Sequence, residues 1–135
     1  MALKSQSATK AALDTINALC NGGSLRLYGG AVPSTVDDLP STLLVTIALE
    51  SPAFATATVD ATEATATLAI GAGKAGTVDV AGTGSNYRIL SSGGDAITQG
   101  TIGVSGADLN FADGIVWNLG GVVDVTSLVR DMPVA

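Results

Sequence analysis

The sequence predicts an all-β protein, a jelly-roll-like antiparallel β-sandwich of about eight strands preceded by one N-terminal α-helix. Three observations carry this. From residue 24 onward, apolar residues recur with a period of two in short runs. Each run is bounded by Gly, Asn, Asp or Ser, with a turn signal about every 8–12 residues. The chain is 47% hydrophobic but only 4% aromatic, and small β-favouring side chains suit a thin sheet-on-sheet core better than a deep pocket. Only one segment, residues 3–20, has a helical period. At 135 residues the chain makes a single domain with one core, divided into a helix (1–22) and a β-sandwich (23–135).

In the helical segment "LKSQSATKAALDTINALC", Ala8, Ala12, Ile16, Leu19 and Cys20 form an apolar stripe at steps of three and four. Ile16 and Leu19 are expected to be its most buried large side chains. Ser5 or Ser7 is placed to cap the start, and Asn21-Gly22-Gly23 to end the helix. The expected strands follow as "SLRLY" (24–28), "TLLVTIAL" (42–49) and the long Ala/Thr alternation "FATATVDATEATATLAI" (54–70), read as two strands or one edge ribbon. They continue with "GTVDVAG", "NYRIL", "AITQGTIGV", "GIVWNL" and "VVDVTSLV". The loop "GGAVPSTVDDLPS" (29–41), with two prolines and paired acids, is too polar and broken for a strand.

Charge narrows the function. Twelve acids face six Lys and Arg, a net charge of −6, so a phosphate backbone or an anionic membrane would repel the surface. We expect neither nucleic acid nor membrane as a partner. No run of 18 or more apolar residues appears, so nothing is expected to span a bilayer, and the N-terminus lacks a signal-peptide layout, which points to synthesis in a cytoplasm. Cys20 is the sole cysteine and histidine is absent; no internal disulfide forms, and a zinc site lacks its usual donors.

The motifs that suggest chemistry fail on context. Gly71, Gly73 and Gly76 have the spacing of a dinucleotide fingerprint, with Lys74 inside it, but that motif needs a helix after it and a strand pattern follows. A turn between strands is the simpler reading. "GVSGA" (103–107) resembles a nucleophile elbow around Ser105, yet Ala107 replaces the last glycine and there is no histidine base. "DLNFADG" (108–114) offers Asp108, Asn110 and Asp113, but Ala112 and Asp113 occupy positions where a calcium loop of the EF-hand type needs a ligand and a glycine. A polar turn and a weak cation site remain open there. Asp37/Asp38 and Asp60/Glu63 read as solvated acids rather than a catalytic pair. We expect no enzyme activity, no cofactor and no catalytic or metal-ligating residue. The residues expected to anchor the core or an interface are Ile16, Leu19, Tyr28, Phe54, Tyr87 and Trp117.

One further pattern runs through most of residues 1–130. A short helix is followed by "LRLYGGAVP" (Leu25 to Pro33), "LLVTI" (Leu43 to Ile47), "PAF" (Pro52 to Phe54), "YRI" (Tyr87 to Ile89) and "SGADLN" (Ser105 to Asn110). This succession resembles a widespread family of small tailed-phage virion proteins, some of which are similar to jelly-roll capsid cement (decoration) proteins. The resemblance implies a structural role on the outer surface of the head, with the major capsid protein as partner. The two-sided Ala/Thr strands at 55–69 leave an edge that should be paired or covered, which predicts a homodimer or homotrimer. A head–tail connector, collar or tail accessory protein is the alternative. A carbohydrate- or receptor-binding sandwich module is a third reading, for which the chain has few aromatic side chains.

Overall fold

The computed structural model describes residues 5–67, 75–125 and 128–134. They are mostly β, with one helix and several sheets. The helix α1 spans Gln6–Ala18. Eleven strands follow: β1 Ser24–Gly29, β2 Thr42–Ala48, β3 Thr58–Val59, β4 Glu63–Thr67, β5 Ala75–Thr77, β6 Gly82–Leu90, β7 Ala96–Gly103, β8 Leu109–Asn110, β9 Val116–Trp117, β10 Val122–Asp124 and β11 Val129–Pro133. Several are only two or three residues long, which is why the count exceeds the expected eight. The long Ala/Thr run resolves as two strands, β3 and β4, turned by Asp60, whose Oδ1 accepts the N–H groups of Thr62 and Glu63.

The largest sheet has the order β2-β1-β6-β7-β8, and β9 pairs with the start of β6. Its pairings are antiparallel except one. β8 runs parallel to β7, with Ile102 opposite Leu109 and Gly103 opposite Asn110, which corrects both the purely antiparallel expectation and the reading of 108–114 as a turn throughout. Leu109 is buried and supplies the apolar contact that fixes this short strand.

β5 pairs with β10 and joins the large sheet through a bridge between Val78 and Val45, where the Asp79 N–H donates to Leu44 O at 2.8 Å. Gly76 lies in this strand. A Cβ there would come within 2.6 Å of Val45 and 2.8 Å of Ile47, so the glycine permits β5 to lie close on β2. Gly71, Gly73 and Lys74 lie outside the described residues.

The third sheet, β11-β4-β3, receives the helix. Ser5 is the N-cap, its hydroxyl accepting the Ala8 N–H at 3.0 Å. The buried face of α1 is Thr9, Leu13 and Asn17, continued by Cys20. Ile16 is half-buried and Leu19 is 55% exposed, so the expectation that these two are the most buried is wrong. The cause is a ladder of polar contacts that rotates the helix by about one residue. Asp14 accepts the Ala57 N–H at 2.8 Å, Asn17 accepts from Arg130 on β11 at 3.1 Å, and Asn21 accepts the Ala53 N–H at 2.9 Å. These bonds, on the face that also buries Leu13, outrank the burial of the Ala8, Ala12, Ile16 and Leu19 stripe.

One hydrophobic cluster links the sheets and includes Leu13, Leu25, Leu27, Leu44, Val45 and Ile89. Across β1 and β6, Leu25 faces Ile89 and Leu27 faces Tyr87 on the core side, while Arg26 faces Arg88 and Tyr28 faces Asn86 on the other. The polar loop of residues 30–41 is tied over that second side. Arg88 donates to the main-chain oxygens of Thr35 (3.2 Å) and Asp38, and to Gln99 Oε1 (3.1 Å). Gln99 in turn donates to Pro33 O at 2.9 Å.

Candidate interaction site

The six expected anchors do not meet in one site. Tyr28 and Tyr87 are buried on opposite faces of the large sheet. Phe54 is buried beside the helix, with the Arg130 guanidinium 6.0 Å from its ring centre. Tyr87 lies against Gly100, its cross-strand partner. Burial first, and the Asp108 carboxylate second, push its phenol up to about 12, against an opposing pull from Arg130. Burial also pushes the Cys20 thiol up, opposed by Arg130, and the side chain is wholly enclosed; such a thiol is poorly suited to nucleophilic work.

The remaining motifs are absorbed by local structure. Asp108 Oδ2 accepts the Thr101 N–H at 2.9 Å and is 3.2 Å from the Thr101 hydroxyl; Asn110 both accepts from and donates to Ala107. These side chains hold the β7–β8 crossover in shape. Among the described residues no group of three Asp, Glu, Cys or His side chains could hold a metal ion. Ser105 sits exposed in a bend next to Gly106. Asp60 is fixed by its two turn hydrogen bonds, which lower its pKa. Glu63 is raised, chiefly by loss of solvation and then by Asp131. These two carboxyls are shifted apart, yet they belong to a hairpin turn on the surface rather than to a cleft.

Phe54, Tyr87 and Trp117 each line a different cleft, and Trp117 is the least buried of the three. It is half-buried, packs edge-to-face on Phe111 with ring centres 5.3 Å apart at 82°, and covers Gly84, where a Cβ would sit 2.6 Å from the indole. The cleft beside it, about 330 Å³, is bounded by the 110–114 turn, β9 and β10. Asp113 and Asp124 stand on its lining and are exposed. Among the described residues, neither carboxylate has a hydrogen-bond or ion-pair partner.

Exposed aliphatic side chains stand beside these acids, Val116 and Val122 on the lining and Leu119 in the turn between β9 and β10. Val116 and Val122 are each 72% exposed and Leu119 is 71% exposed. β9 pairs only with β6 and β10 only with β5 among the described strands, so each presents an unpaired edge. Exposed aliphatic side chains beside open strand edges are the features of a surface that another chain covers. The sequence singled out Trp117 but not this surrounding surface. Phe111 and Asp113 were visible only as parts of a possible cation loop, and Val116 and Val122 read as ordinary strand residues.

In comparisons with known proteins, no family model, no curated protein and no solved structure matches the chain. Among the described residues no helix is long and apolar enough to cross a membrane.

Proposed function

We propose that this chain is a structural protein of a tailed-phage virion, a capsid cement protein that bridges major capsid subunits on the outer face of the head. The observation that carries the reading is the exposure of Val116 and Val122, which line one cleft beside the unpaired edges of β9 and β10, with exposed Leu119 in the turn that joins them. A cement protein needs such an adhesive surface, not a reaction pocket. The motif succession from Leu25 to Asn110, similar to that of small phage virion proteins, gives the setting. In this reading the several sheets are the layers of a jelly-roll-like sandwich, and neighbouring copies associate as dimers or trimers through open edges.

The role is non-catalytic. The chain has no histidine to serve as base, and Asp60 and Asp108 are engaged in turns and crossovers. A net charge of −6 suits the outside of a shell filled with DNA rather than its interior. A standard protein–protein contact buries about 1,600 Å² in total, and repetition over a shell lets modest contacts resist internal pressure together.

The test is particle decoration. Purified chain is added to undecorated heads and the bound copies are located by cryo-electron microscopy. Density repeated over the capsid lattice is expected. Density confined to the portal vertex or tail would assign a connector or tail role instead, and no density would overturn the virion reading. Val116→Asp with Val122→Asp is expected to abolish decoration while leaving the fold intact.

A further inference from the structure

We propose that the cleft between β9 and β10 is a docking site for an extended segment of a partner protein that carries lysine or arginine. At about 330 Å³ the cleft lies near the lower end of the size of ligand sites. Its chemistry is one-sided. Phe111 and Trp117 line the cleft, packed edge-to-face, and half-buried Trp117, the more exposed of the two, offers aromatic surface of the kind that attracts cations. Asp113 and Asp124 supply two carboxylates with no partner among the described residues. Asn110, the one amide on the lining, spends its oxygen and one N–H on Ala107. No Lys or Arg is among the described residues that line the cleft.

A site that offers acceptors and aromatic faces, on a chain of net charge −6, repels anions and gives a neutral sugar few donors. It fits a guanidinium or ammonium group on an aliphatic stem, the stem lying on the rings and the charged end reaching the carboxylates. The strand edges add a second requirement. A short extended segment laid along β10 would complete its hydrogen bonds and cover Val122, the side-chain pockets then selecting the basic residue.

The assignment rests on the lining and the open edge of β10, and its test is separate from that of the virion reading, because it is measured on the isolated chain without particles. Trp117 is the only tryptophan, so its emission reports the cleft directly. The full chain is titrated with a short acetylated, amidated peptide alternating valine and arginine. Parallel titrations use the same peptide with glutamate for arginine, and a methyl glucoside. The arginine peptide is expected to shift Trp117 emission saturably, and to weaken several-fold between about 0.05 and about 0.5 M salt as screening rises. Asp113→Asn with Asp124→Asn is expected to weaken it by about tenfold or more. Thermal unfolding checks that the variant is folded; should it not be, Asp113→Asn alone, on an exposed turn, makes the comparison. No saturation by the arginine peptide, equal binding of the glutamate peptide, or unchanged binding by the asparagine variant would each overturn the proposal. Saturation by the glucoside in place of the peptide would make the cleft a carbohydrate site and overturn it as well.

Discussion

Tyr87 covers Gly100. The two are cross-strand partners on β6 and β7, and a Cβ at position 100 would lie 2.6 Å from the phenol ring. The glycine is therefore part of the aromatic residue's seat. Gly100→Ala is expected to destabilise the fold by about 1–3 kcal/mol, the usual cost of overpacking. Denaturant unfolding measures it, and in a Tyr87→Ala background the cost of the same glycine substitution is expected to shrink or vanish.

The same tyrosine gives a pH signature. Its phenol is pushed up to about 12 in the fold, against about 10 in an unfolded chain. The protonated form is thus favoured by folding. Its contribution to stability is complete below about pH 10 and is lost as pH rises from there through about 12. Ultraviolet titration of phenolate in a Tyr28→Phe variant isolates Tyr87, and a midpoint near 10 would show that the side chain is not enclosed.

The helix separates two leucines that look alike in the sequence. Leu13 is fully buried and Leu19 is 55% exposed. Leu13→Ala is expected to cost roughly 2–5 kcal/mol, as for a cavity in a packed core. Leu19→Ala is expected to change stability by no more than about 0.5 kcal/mol. The reverse order in chemical denaturation would mean that the helix sits on its other face.

Arg88 ties the 30–41 loop to the sheet through the carbonyls of Thr35 and Asp38. Arg88→Met leaves those oxygens without their donor and is expected to cost about 1–3 kcal/mol. Limited proteolysis gives the sharper readout. Cleavage within 30–41, where Leu39 is 93% exposed, is expected to accelerate in the variant while sites in β1 and β6 stay protected.

Much of the β architecture could be read from alternation. Leu25 and Leu27 against Arg26 and Tyr28 placed β1 and its two faces correctly, and the Ala/Thr run marked β3 and β4. Two kinds of feature escaped. Strands of two residues, such as β8, carry too few positions for a period, and their pairing is fixed by long-range partners like Ile102 for Leu109. The rotation of α1 is set by Asp14, Asn17 and Asn21 meeting backbone and Arg130 far along the chain, which a hydrophobic stripe does not record. The interaction surface was hidden for a related reason. Val116 and Val122 have the residue type of core strands, and they are surface because they point to the uncovered face of β9 and β10, alternating with the more buried Trp117 and Val123.

β6 pairs with β1, β7 and β9, and this sets an order of events during synthesis. β1 and β2 can form their hairpin early, but the second edge of β1 waits for Gly82–Leu90 to emerge. Until then a row of unpaired amides beside Leu25 and Leu27 is open to other nascent chains. Once β6 leaves the ribosome, its hairpin with β7 is local and fast, whereas closing onto β1 spans more than fifty residues, as in the Ser85 to Tyr28 contact at a separation of 57. High-level expression therefore strains the first half of the chain most, and slower translation before residue 82 prolongs that exposure.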